Sequence, residues 1–88
     1  MLQRYLAARY ALYCRLAAEA EKDFDETGDP FYEKQMYEAF AMRKEVTRIM
    51  DDLFGKAIAF EIRVNAHKWL EDVNIMDIYK AIEKHSAE

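Results

Sequence analysis

The chain has 88 residues, 52% of them hydrophobic and 34% charged, with a formal net charge of -4. Average usage would place about 10 Gly plus Pro in this length; with 2 Gly and 1 Pro it has too few turn formers for a hairpin-rich all-β protein, and its apolar content excludes a disordered tail. The single cysteine, Cys14, excludes an internal disulfide framework and any multi-cysteine zinc site, while no apolar run nears the ~20 residues of a membrane span and no signal-peptide pattern opens the chain. The expectation is one cytoplasmic all-α domain over residues 1–88, with no membrane association.

Residues 2–26 hold neither Gly nor Pro and are rich in Ala, Leu, Arg, Glu and Lys, the strongest helix formers. At 100° per residue, Leu2, Leu6, Tyr10, Tyr13, Ala17, Ala20 and Phe24 fall on one face. Small residues make a second stripe, Ala7, Ala11, Cys14 and Ala18, where another helix can approach closely. Two apolar faces call for more than one neighbour.

In Thr27-Gly28-Asp29-Pro30, Gly28 suits a left-handed stop, Asp29 an N-cap and Pro30 the first helical position. So short a link between helices predicts an antiparallel hairpin. The pattern from 31 to 70 is again helical, with Phe31, Met42, Val46, Ile49, Leu53, Phe60 and Val64 on one line, Met36, Ala39, Met50, Phe54 and Ala57 widening it, and Gly55 as a site for a kink or break. A final short helix over 75–85 starts from Asn74, with Asp77 three residues on as in a capping box. It is expected to cover Ala59, Ile62, Ala66, Trp69 and Leu70.

If the second helix runs straight through Gly55, residues 56–70 overhang the first by about 22 Å. Either the chain bends at Gly55 and repacks or a second copy covers that overhang; the favoured expectation is the second, an intertwined homodimer of an antiparallel hairpin plus a short third helix. The residues assigned to its interface are Ala57, Ile58, Phe60 and Val64, with the small stripe Ala7, Ala11, Cys14 and Ala18.

Charge is unevenly placed. Residues 1–18 carry Arg4, Arg9 and Arg15 and no acid, whereas Glu19, Glu21, Asp23, Asp25 and Glu26 crowd the end of the first helix. The plain reading of this block is a solvated tip that aids solubility; the alternative starts from carboxylates meeting the negative end of the helix dipole, a mismatch that suits docking on a basic partner. The partner could be a nucleic-acid-binding protein that it blocks, in the manner of small phage or mobile-element accessory proteins. Direct nucleic-acid binding is disfavoured, because three arginines are few for a phosphate footprint and the interleaved tyrosines lie on the apolar face.

Arg9 and Arg43 lie within apolar arcs, and Glu61 shares the azimuth of Arg43. Such ions need partners, or their stems pack while the head groups reach solvent; the alternative is an interhelical pocket for an anionic ligand. Only His67 and His85 could add to a metal site, and no Glu-x-x-His pair of the di-iron kind is present. No Gly-rich phosphate loop or nucleophile arrangement occurs, so no cofactor, metal or catalytic residue is expected. The leading functional expectation is a non-catalytic protein–protein interaction module.

Overall fold

Four helices form, in a computed structural model that describes residues 2–86: α1 (Leu2–Thr27), α2 (Pro30–Phe54), α3 (Lys56–Leu70) and α4 (Ile75–Ser86). No strand occurs among the described residues, and no helix is long and apolar enough to cross a membrane.

Local chemistry builds the first turn. Gly28 takes a φ of 68°, its N–H donates to the Phe24 carbonyl at 2.7 Å, and Asp29 Oδ1 accepts from the Phe31 N–H at 2.9 Å. Pro30, which has no N–H to lose, opens α2. Ala20 and Asp23 of α1 line the same groove as Gln35 and Glu38 of α2, with Tyr13 and Met42 farther from the turn.

The helical stretch over 31–70, with Gly55 as its site for a kink or break, is two helices, because Gly55 adopts φ 82° and ψ 157° and the helix cannot pass through it. Its N–H donates to Asp51, ending α2, and its carbonyl accepts from Ala59, starting α3. The overhang therefore does not form. α3 folds back onto both α1 and α2, enclosing Ala59, Ile62 and Ala66, and Arg63 Nη1 donates to Asp51 Oδ1 at 3.3 Å across the elbow.

The central element is α1, against which α2, α3 and α4 all pack. This explains its two apolar faces from within the chain. Leu6, Tyr10, Tyr13, Ala17 and Ala20 are buried, and so are Ala8, Ala11 and Leu12 around the rest of the helix. Met50 and Ile78 are the largest fully enclosed side chains, in one core with Ala11, Ala59, Ile62 and Ala66.

The link between α3 and α4 is pinned by Arg15. Its Nη2 donates to the Leu70 carbonyl at 3.0 Å and to the Val73 carbonyl at 2.8 Å, satisfying an acceptor that the end of α3 leaves free. A capping box starts α4: Asn74 Oδ1 accepts from the Asp77 N–H at 3.0 Å, and Asp77 Oδ2 from the Asn74 N–H at 3.4 Å. The backbone of α4 lies closest to α1, and Ile78 joins Ala59, Ile62 and Ala66 of the expected docking patch in one core.

Of the apolar face read for α2, Ala39, Val46 and Met50 are buried, while Phe31, Met42 and Leu53 remain about half exposed. Ala39, buried, lies on the side of α2 that lines the groove with α1. The elbow then breaks the register, leaving Phe60 at 63% exposure.

Candidate functional site

A groove of about 340 Å³ lies between α1 and α2 near the first turn. Tyr13, Leu16 and Ala20 of α1 and Ala39 and Met42 of α2 supply its apolar surface; Glu19 and Asp23 face Glu38 around it, with Gln35 the remaining polar group. Tyr13, Ala20 and Ala39 are buried, Leu16 and Asp23 half-buried, and Met42 is 46% exposed. Among the described residues no Lys or Arg lines the groove. The small side chains Ala20 and Ala39 open the space, and the residues beside them supply carboxylates of one sign.

The acidic block is thus divided. Glu19 and Asp23 belong to the groove, whereas Glu21, Asp25 and Glu26 are exposed and do not line it. Tertiary pairing adds Glu38, Tyr13 and Met42, which lie outside the acidic block.

Arg9, Arg43 and Glu61 are not joined by any hydrogen bond or ion pair. Arg9 Nε donates to the Tyr5 hydroxyl at 3.1 Å, and its guanidinium stands 5.6 Å and 5.9 Å from the ring centroids of Tyr5 and Tyr13. Arg43 lies 4.9 Å from the Phe40 centroid, and Glu61 is exposed on α3. Neither arginine meets a carboxylate within ion-pair distance among the described residues. Aromatic faces take the place of the expected acid partner, with the apolar stem packed and the cation over a ring. The exposed ion pairs lie elsewhere, where Arg48 meets Glu45 and, at 2.9 Å, Asp52.

The residues proposed for an interface are also dispersed. Ala11 is fully enclosed by the chain itself, Ala7 and Cys14 are half-buried against its core, and Ala18 is exposed. On α3, Ala57 and Phe60 are exposed with Val64 half-buried, and Ile58 is 45% exposed.

No family model, curated protein or solved structure matches the chain. What the arrangement can do is read from its chemistry alone. Among the described residues no group of three or more His, Cys, Asp or Glu is placed to hold a metal ion. Cys14 stands beside Tyr10, whose hydroxyl is 3.0 Å from His67 Nε2, with the two rings edge-on at 5.4 Å. Tyr10 is 8% exposed. Burial raises its pKa above the ordinary phenol value and Cys14 adds to the rise; Arg43 and Arg63 pull the other way.

That shift has a readable consequence. A phenol whose folded-state pKa is raised gives stability that is complete below its unfolded value of about 10 and is lost as pH climbs through the folded value. Urea midpoints are expected to fall more steeply above about pH 10 in the parent than in Tyr10→Phe. Equal slopes would show that Tyr10 does not carry the alkaline transition. At neutral pH, Tyr10→Phe loses about 0.5–1.5 kcal/mol with the hydrogen bond to His67.

Proposed function

We propose that the protein is a non-catalytic protein–protein interaction module, and that α1 and α2 act as an antiparallel hairpin whose groove seats a basic, amphipathic helical segment of a partner. The observation carrying this reading is an apolar floor of Tyr13, Leu16, Ala20, Ala39 and Met42 with carboxylates from both helices, Glu19, Asp23 and Glu38, around it. An apolar anchor would remove Met42 from water while Lys or Arg one turn away meets the acids. Charge placed this way selects the sign of the partner and speeds encounter more than it adds affinity.

Two of the three arginines of α1 are already engaged inside the fold. Arg15 holds two carbonyls and Arg9 lies over tyrosines. This supports a protein partner over a nucleic-acid one.

The test uses two synthetic amphipathic helices with the same leucines, one carrying Lys and the other Glu at the flanking positions. The lysine peptide is expected to bind with an affinity that falls with salt, and the glutamate peptide not to bind. A Glu19→Gln, Asp23→Asn, Glu38→Gln triple variant is expected to weaken binding about tenfold. Equal binding of both peptides, or none of either, would remove the groove from consideration.

A second copy of the chain is the occupant best suited to the outward face of α3, where Phe60 is 63% exposed beside Ala57 and Val64. On this reading the protein is a homodimer. Light scattering across a range of concentrations tests it against Phe60→Lys; a mass of one chain throughout for the parent would dismiss it.

A further inference from the structure

A second cavity, of about 200 Å³, shares no residue with the groove. Its floor is made of four methyl groups from three helices: Ala7 and Ala8 of α1, Ala66 of α3 and Ala81 of α4. Leucine-sized side chains would fill such a space; with alanine at all four places it stays open. The half-buried indole of Trp69 walls it. Arg4, exposed at the start of α1, stands at its edge, while Asn65 and His85 complete the lining. Among the described residues no Asp or Glu lines it.

We propose that this cavity is a binding site for a small aromatic monocarboxylate, with the ring between the alanine floor and Trp69 and the carboxylate directed to Arg4. Size fits the ring: the pocket is open to solvent on one side, and its roughly 200 Å³ exceeds the about 150 Å³ of an enclosed apolar cavity that holds benzene. The indole favours an aromatic occupant over an alkyl chain of equal volume, through offset or edge-on ring contacts. Charge selects the anion, because the fixed cation Arg4 faces no carboxylate from the cavity wall and can pair with one in a two-point contact. A neutral analogue keeps the ring contacts and loses that pairing. A dicarboxylate would bring a second charge into a surface with no further arginine or lysine.

Trp69 is the only tryptophan, so its fluorescence reports the site directly. Hydrocinnamate is expected to change that fluorescence saturably, with a Kd of about 0.1–1 mM, as suits so few atoms. The neutral hydrocinnamide is expected to bind roughly five- to tenfold more weakly, and Arg4→Gln to reduce hydrocinnamate binding by the same factor while leaving the amide unchanged. Alanine-methyl NMR separates this site from the groove: Ala7, Ala8, Ala66 and Ala81 should shift on titration, and Ala20 and Ala39 should not. Ala81→Met, at a half-buried position, is expected to block the cavity with helicity retained. Absence of a saturable response to hydrocinnamate in the parent protein would overturn the site. Equal affinities for acid and amide would overturn the role of Arg4, and shifts confined to Ala20 and Ala39 would place the ligand in the wrong groove.

Discussion

Replacing Ile78 by alanine is expected to reduce the unfolding free energy by about 2–5 kcal/mol, from a total of about 4–13 kcal/mol for a chain of this length. Ile78 is the one fully buried residue of α4, at 0% exposure, and it enters the core shared by Ala11, Ala59 and Ile62. A helix of 12 residues does not persist in water by itself, so α4 depends on this anchor. Its capping box starts the helix, and half-buried Ile75 and Ile82 add partial contacts against the same core. Urea unfolding followed by circular dichroism should show a lower midpoint. Hydrogen exchange should show lost protection across α4 before α1 and α2 open. Ile78→Val should lose only about 0.5–1.5 kcal/mol. If Ile78→Ala were no more harmful than alanine at the exposed Lys80, the docking of α4 would not depend on Ile78.

How far the sequence reaches depends on whether a feature is made locally. The first turn is readable because Gly28, Asp29 and Pro30 each impose their own geometry within four residues, and the observed φ of Gly28 and the Asp29 cap follow. The start of α4 is readable for the same reason, through the reciprocal bonds of Asn74 and Asp77. What lies beyond Gly55 is not readable in this way. A glycine permits both a continuous helix and a sharp reversal, and the choice is made by distant groups: the face of α3 that meets α1, and Asp51 receiving Arg63. Placing Phe60 on one line with Val46 and Ile49 followed from carrying the period of 31–54 on past Gly55, and Phe60 is 63% exposed. The groove is half legible. Glu19 and Asp23 stand out as members of an acidic block, but Glu38, Tyr13 and Met42 acquire meaning only once α1 and α2 are paired. The alanine-floored cavity draws on three helices and has no signature in any one of them.

Gly55→Ala is expected to change the architecture itself. At φ 82° and ψ 157° the backbone occupies a region open to almost no residue but glycine, and holding alanine there costs about 1–3 kcal/mol. Nothing lies within 4 Å of where its methyl would sit, so the cost is conformational and not steric crowding. One escape relieves it. Alanine prefers the helix over glycine by about 1 kcal/mol, and a helical residue 55 joins α2 to α3 as one rod from 30 to 70, about 60 Å long, against 39 Å for the longest dimension of the folded chain. Ala59, Ile62 and Ala66 would then leave α1, and the α1 of a second copy could receive them by domain swapping. Light scattering should therefore show a larger dimer fraction for Gly55→Ala than for the parent, together with higher helicity. Gly28→Ala is the control, since it also places a side chain at positive φ, 68°. There Pro30 follows two residues later and forbids a continuous helix, so the expected result is lower stability at unchanged mass. A Gly55→Ala protein that is merely less stable, with the parent's mass and helicity, would show that contacts along α3, and not the glycine, hold the elbow closed.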